Sequence, residues 1–564
     1  MAYESSGIRN ERGESVGGQD NSDQDLAASL VIQKWKLTTL PLWLLCVPLL
    51  LFSFVLNILY LGRPSVWFDE AFSVELARQP LPLLWHTIFG TEPNMELYYL
   101  LLHGWLRVTG WLGLTPVEWL VRFPSAICAA LSTGVIFLFA RRYLGTIAAA
   151  VGAILFATNY LQLVYAQQTR AYALQLLLLC LSWLVLLIAI QQETQRKSRW
   201  ALYVATIVLA IYSHLFSAFV LLAQCIALAG LYCASASWRA YIRRQAVLWI
   251  GSLVLIGILS IPMFMVSLHG SKTGWLFVPH LHELLSLFTI ISGSNPRYLV
   301  VMGLCILLAL SIVGAGSLLR RNTRYQHWMV QRLKMVQGPD RLQRLWPFAW
   351  MMLCWFALPI VISYVISQGS LRLFSTRYLV VVVPPFCLLA ALGVAIWRWS
   401  ILQALVICVL LGSAFLVVPH YYQNAQVENW NTAVHWLQAR SQANDGLVCY
   451  DNTTTQGCQI AVEYYLHAYP NGTHFSSDSP GAFSWEKFSS GQPQNDPALA
   501  LQPAALSAFA RRHTRFFLIT GRIANQADAA HVKDTQHWLD QHYHLVDQVV
   551  THTVTVRFYS SSDK

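Results

Sequence analysis

The sequence predicts a polytopic α-helical membrane protein of about eleven transmembrane helices, with a large first external loop and a small C-terminal α/β domain. Three observations predict it. Hydrophobic residues make up 55% of the 564 and charged residues 12%, whereas a water-soluble domain carries roughly 25% charged residues. Apolar runs of about 20 residues recur along the chain, each long enough to cross a ~30 Å hydrocarbon layer as a helix. Lys and Arg gather in short segments between those runs, as they do in cytoplasmic loops. The formal charge of +11 therefore does not imply a nucleic-acid partner, which would call for an interleaved basic and aromatic domain.

Residues 1–33 are rich in Ser, Gly, Gln, Asp and Glu with almost no aromatics, the composition of a disordered cytoplasmic tail. The first apolar run, Leu37 to Leu61, follows Lys34 and Lys36, which put its start in the cytoplasm. It is longer than a signal-peptide core of ~7–15 residues and lacks a small-residue cleavage site, so it is an uncleaved span. A loop over 62–118 follows. Further runs lie near 120–140, 145–163, 171–190, 200–213, 215–234, 246–267, 299–319, 346–367, 378–397 and 401–418, so the transmembrane domain covers 34–419. Alternating from the cytoplasmic start, Arg141-Arg142, Arg196 to Arg199, Arg239 to Arg244 and the block from Arg320 to Arg344 all fall inside. The acidic loop, Gln167 to Arg170, His269 to Arg297, Arg372 to Arg377 and everything after Pro419 fall outside. The short run 200–213 decides the orientation of all that follows it.

Residues 420–564 have ordinary polarity. WNTAVHWLQARSQ has helical spacing, GLVCYDN and RFFLITG read as short strands, and VVTHTVTVRFY alternates with period two, which together give a small α/β domain on the outer surface. Nine of the 11 cysteines lie in or beside apolar runs and read as small buried hydrophobes. Cys449 and Cys458 bracket YDNTTTQG in the tail, where an extracytoplasmic location permits a disulfide and two free thiols are the alternative.

The loop from Pro64 to Trp105 carries Asp69, Glu70, Glu75, Glu92 and Glu96 among tryptophans, tyrosines and prolines. Carboxylates beside hydrocarbon are costly unless they act or find a partner. Asp69 is the first candidate for a catalytic base and Glu70 the second; the plainer alternative is that Asp69 caps the helix-like AFSVELARQ and Glu70 favours its N-terminus. Glu92 is a further candidate acid, able to orient an acceptor or hold a divalent metal ion with His86, His103 or His214. Glu75 reads as a solvated side chain. Arginines outside the cytoplasm run against the usual bias. Arg170, Arg372 and Arg377 are therefore candidates for gripping a phosphate with paired hydrogen bonds, the alternative being snorkelling anchors. Trp67, Trp85, Trp105, Trp111, Tyr98 and Tyr99 suit an interfacial belt or, less simply, stacking on sugar rings. No Gly-rich phosphate loop follows a strand, so nothing suggests a nucleotide site.

The ordered set Trp67-Phe68-Asp69-Glu70-Ala71, GTEPNMELYYLLLHGW, VRFPSA, YAQQTRAYAL and FSTRYLVVVVPP resembles the GT-C fold glycosyltransferases over roughly Leu40 to Pro419. The nearest branch is that of bacterial membrane mannosyltransferases and related polyprenyl-phosphate-sugar enzymes, akin to protein O-mannosyltransferases. The resemblance implies that Asp69, with Glu70 beside it, activates the acceptor, and that Arg377 with Tyr378 contacts the donor phosphate. It implies a polyprenyl-phosphate-linked sugar as donor, a glycan, lipid or protein as acceptor, and residence in a bacterial inner membrane. Where relatives often have Pro-Pro or Asn-Pro before Leu-Tyr, this chain has Asn94-Met95-Glu96, which adds an unassigned carboxylate. The other classes compatible with the residues are a transporter or flippase of lipid-linked sugars and a non-catalytic envelope-assembly subunit.

Overall fold

A computed structural model of the protein describes residues 42–92, 94–268, 273–274, 276–318, 335–452, 456–523 and 525–561. The expected N-terminal tail and much of the basic block from Arg320 to Arg344 lie outside the described residues. The membrane part runs α1 (Leu42–Ile58), α2 (Phe68–Arg78), α3 (Leu81–Ile88), α4 (Glu96–Trp111), α5 (Glu118–Leu144), α6 (Thr146–Ala157), α7 (Tyr160–Ala166), α8 (Tyr172–Ile190), α9 (Lys197–Ser213) and α10 (Ser217–Ala234). It continues with α11 (Ala236–Ser267), α12 (Leu281–Ile291), α13 (Pro296–Leu318), α14 (Pro339–Ile366), a 3-10 turn over Tyr378–Val382 that leads into α15 (Val383–Ala395), α16 (Ser400–Phe415) and α17 (Val417–Gln423).

Among the described residues each expected apolar run is built of helix, because hydrocarbon offers no water to satisfy an open backbone. The count of eleven spans is not reached on length. Among the described residues eight helices are long and apolar enough to cross a membrane, and α6 with α7, bent by 60°, would make a ninth. The described part of α1 and the 17-residue α9 are shorter. The α6–α7 bend is built by Asn159. Its Oδ1 accepts from the N–H groups of Leu161 and Gln162, restarting a helix, while its Nδ2 donates to the Ile291 carbonyl at 3.0 Å. The turn after α7 is then tied down by Gln167, whose Nε2 donates to the carbonyls of Asn57 at 2.9 Å and Leu59 at 2.8 Å.

After α17 come α18 (Trp430–Gln438), β1 (Gly446–Tyr450), α19 (Gly457–Leu466), α20 (Trp485–Ser489), α21 (Pro503–Ala510), β2 (Arg515–Gly521), α22 (Gln526–His542), β3 (His544–Val550) and β4 (Val554–Ser560). The four strands form one mixed sheet in the order β1-β2-β4-β3, with β1 parallel to β2 and the other pairs antiparallel. The helix and the GLVCYDN and RFFLITG strands foreseen in the tail are present, whereas VVTHTVTVRFY, expected to alternate as one segment, is the end of β3, a turn over 551–553 and β4, which pair as a hairpin. The tail's expected start at 420 falls inside α17. Cys449 and Cys458 are disulfide-bonded.

The tail sits on the first loop. The Tyr465 hydroxyl accepts the Val66 N–H at 2.7 Å and lies 3.1 Å from a Glu118 oxygen, and the Tyr464 hydroxyl donates to the Pro116 carbonyl. As a result α2 is no surface helix: Glu70 through Ala77 are all buried. Its N-cap is Trp67, not Asp69. Glu75, expected in solvent, is 3% exposed, because Arg78 at 3.0 Å and His467 at 3.4 Å close over it. The aromatic belt is also only partial. Trp85 and Trp111 are exposed, while Tyr98 and Tyr99 are core.

Candidate active site

α2 presents Asp69 and Glu70 on successive residues, about 100° apart around the helix, so the two acids face different neighbours. Asp69 faces the end of the bundle. Arg377 Nη1 donates to its Oδ2 at 2.9 Å, and Arg170 Nη2 lies 3.8 Å from the same oxygen. Arg170 also donates from Nη1 to the Asp69 carbonyl at 3.1 Å and to Ser73 Oγ at 3.2 Å. The bent α6–α7 unit delivers Arg170, and the 3-10 turn that opens the α15 span delivers Arg377. Arg170 is buried and Arg377 half-buried. Burial by itself would depress their pKa values, yet Asp69 and the nearby phenols hold both guanidinium groups above their ordinary value. Arg170 Nε and the Tyr99 hydroxyl are buried without a hydrogen-bond partner among the described residues.

Glu70 turns the other way and is fully buried. Arg122 donates to it from Nε at 2.8 Å and Nη2 at 2.6 Å, and the Thr169 N–H adds a third bond at 2.8 Å. Arg122 spends its remaining donors on the carbonyls of Leu61, Pro64 and Ser65. Glu70, expected as a second candidate acid, has both oxygens occupied and no exposed surface, and it ties α2 to α5 and to the turn that carries Arg170. Arg122 is the residue the sequence reading missed. Its signal was present in VRFPSA, an arginine in the first turns of a span, where a charge needs a counter-charge.

The other expected residues divide. Tyr378 is buried at the start of the 3-10 turn, its ring 5.0 Å from that of His214. Glu92 is half-buried after α3 and helps hold the Arg170 guanidinium charged. Arg372 does not join the cluster. It donates to the carbonyls of Ser367 and Gly369 and so closes the C-terminal end of α14, where free carbonyls attract a cation. The metal set imagined around Glu92 is not assembled. His86 is exposed on α3, His103 donates from Nδ1 to the Ala77 carbonyl at 2.7 Å, and His214 Nδ1 accepts the Phe216 N–H at 3.2 Å. Burial, with Arg170 nearby, lowers His214 to about 3, so it is neutral. Among the described residues no three His, Cys, Asp or Glu side chains are placed to share a metal ion.

A bundle of long apolar helices whose first loop returns an aspartate to arginines from later helix starts defines the class: this is a multi-pass membrane protein with the GT-C fold. Residues 102–266 match the family described as dolichyl-phosphate-mannose-protein mannosyltransferase. The chain is similar in structure to ArnT from Cupriavidus metallidurans in the apo state, at 14% identity and a TM-score of 0.53, over 92% of this chain and 98% of that one. It is similar over the same shares to that protein bound to undecaprenyl phosphate, at 12% identity and a TM-score of 0.52. The oligosaccharyltransferase of Archaeoglobus fulgidus, tethered with an acceptor peptide, is 13% identical over 84% of this chain and 69% of that chain, with a TM-score of 0.44. No curated protein matches the sequence.

Proposed function

We propose that this protein is an integral-membrane glycosyltransferase. It moves a sugar from a polyprenyl-phosphate donor to an acceptor hydroxyl on the extracytoplasmic face of a bacterial inner membrane. The acceptor is a glycan, lipid or protein of the envelope. The observation that carries this reading is the Asp69 carboxylate facing Arg377 and Arg170 at the loop end of the bundle. An anionic leaving group is what two guanidinium groups beside one acid are suited to receive, and Arg170 Nε has a donor to spare. The likeness in fold to a protein that binds undecaprenyl phosphate supports a lipid phosphate as that group.

The reaction is a single displacement with inversion. The acceptor oxygen attacks the anomeric carbon, Asp69 takes its proton, and the C–O bond to the lipid phosphate breaks. The phosphate leaves as an anion without protonation, so one carboxylate suffices where glycoside hydrolysis uses two. Arg377 and Arg170 neutralise the charge that develops on it. When donor arrives, the arginines exchange Asp69 for phosphate, which frees the carboxylate to act as a base. The test is to incubate the purified protein with a panel of polyprenyl-phosphate sugars and follow donor cleavage. Cleavage of at least one donor is expected, and cleavage of none overturns the reading.

A further inference from the structure

Asp69 is the second residue of α2, and the start of that helix is held from the far end of the chain. The N-cap Trp67 has no side-chain acceptor to offer. Instead Glu428 Oε2 accepts the Phe68 N–H at 3.0 Å, 360 positions away in sequence, and the Trp430 indole N–H at 2.6 Å. Glu428 Oε1 lies 3.2 Å from Arg522 Nε. The Arg522 guanidinium lies 4.0 Å from the Phe68 ring centroid and places Nη1 3.5 Å from Asp451 Oδ2, which also accepts the Cys458 N–H at 2.9 Å. Both the backbone and the ring of the residue before Asp69 are therefore gripped by the C-terminal domain.

Two backbone features set this junction apart. Arg522 and Gln456 hold φ values of 57° and 46°, in the left-handed region that L-residues other than glycine rarely adopt. Gly457 lies where the partners converge. A Cβ there would overlap the Arg522 guanidinium and come within 2.8 Å of both Asp451 Oδ2 and the Phe68 ring, so only glycine lets them meet. Successive residues of a helix point about 100° apart. Holding Phe68 from the tail and Glu70 from Arg122 thus fixes the direction of Asp69 between them.

We propose that Glu428 and Arg522 are positioning residues for sugar transfer, holding the first turn of α2 so that the Asp69 carboxylate points at Arg170 and Arg377. The proposal rests on the glycosyltransferase reading of the Asp69 site and gives the C-terminal domain a task in that reaction. The test uses the full-length protein and the variants Arg522→Met, Arg522→Lys, Glu428→Gln and Arg515→Met. The last breaks an ion pair with Asp445 at the opposite end of β2. Two readouts are taken: steady-state donor cleavage, and hydrogen exchange of the amides from Phe68 to Phe72. Arg522→Met and Glu428→Gln should lower kcat at least ten-fold with donor KM within two-fold, since the arginines are untouched. Exchange at Phe68 to Phe72 should quicken, Arg522→Lys should recover part of kcat, and Arg515→Met should change none of these. Unchanged exchange in Arg522→Met overturns the proposal whether or not any donor is cleaved. Quickened exchange with kcat within two-fold of the parent also overturns it. Quickened exchange in a protein whose parent cleaves no donor supports the hold on α2 and refutes the transferase reading alone.

Discussion

Asp69 and Arg377 stand 308 positions apart in the chain and 2.9 Å apart in the structure, one on the loop after the first helix and the other at the start of the α15 span. The carboxylate keeps 16% of its side-chain surface exposed and the arginine 32%, so the pair stays open to an incoming group. The pair between Glu70 and Arg122, one residue along α2, is sealed at 0% and 3%. Adjacent acids thus have opposite fates: one can exchange partners and one cannot.

Asp69→Asn should abolish donor cleavage, by about 10²–10⁴-fold as expected for loss of a general base, while the protein still inserts and elutes as a monodisperse species. Asn keeps the size and can still meet Arg377 but cannot take a proton. A fully active variant would remove Asp69 from the chemistry.

Arg377→Lys and Arg170→Lys should separate binding from architecture. A lysine keeps the charge but loses the paired donors. At the more exposed Arg377 we expect kcat/KM for the donor to fall at least ten-fold with thermal stability unchanged. At Arg170, which also holds the Asp69 carbonyl and Ser73 Oγ, the same change should lower both activity and melting temperature. Thermal unfolding in detergent beside donor titrations distinguishes the two.

Glu70→Gln should act on stability first. It leaves the buried Arg122 without its counter-charge, a change that costs about 3–5 kcal/mol in comparable buried pairs. A variant that melts with the parent protein would mean that the pair contributes nothing to the junction of α2 with α5.

Glu96 carries a pH signature. Its carboxyl is fully buried at the start of α4, and burial pushes its pKa up to about 7 from an ordinary 4.5, against the opposing hydrogen bond from the Asn94 N–H. The folded protein holds this proton to higher pH than the unfolded chain does. The group's contribution is therefore fully present below pH 4.5, declines as the pH rises to about 7, and is level above, a loss on the order of 3 kcal/mol. Glu96→Gln should remove that decline, as read from melting temperatures across the window. An unchanged profile would assign the decline to another group.

The helices and the tail strands were legible because each is written locally. Long apolar runs leave the backbone in hydrocarbon only helical solutions, and GLVCYDN and RFFLITG are short apolar runs that become the buried strands β1 and β2. The turn that breaks VVTHTVTVRFY into the ends of a hairpin was not read from its alternation. Asp69, Arg170 and Arg377 were legible because a charge at a membrane boundary stands out against its neighbours. Glu75 was misread for the converse reason: its pattern on α2 is that of a surface helix, and His467 of the docked tail closes over it beside Arg78 of its own helix. Arg372 lies on the same expected external segment as Arg377, and the structure separates it from the cluster by giving it the carbonyls at the end of α14.

By itself the sequence determined a bundle of apolar helices, a loop of acids after the first of them and a sheet-bearing tail, since hydropathy, charge and periodicity act over a few turns. Tertiary structure alone decided which acid faces the arginines and which is buried against Arg122. It also decided that Glu428 and Arg522 reach back to the start of α2. Those choices depend on contacts between residues 52 to 360 positions apart, whose geometry exists only after the chain has packed.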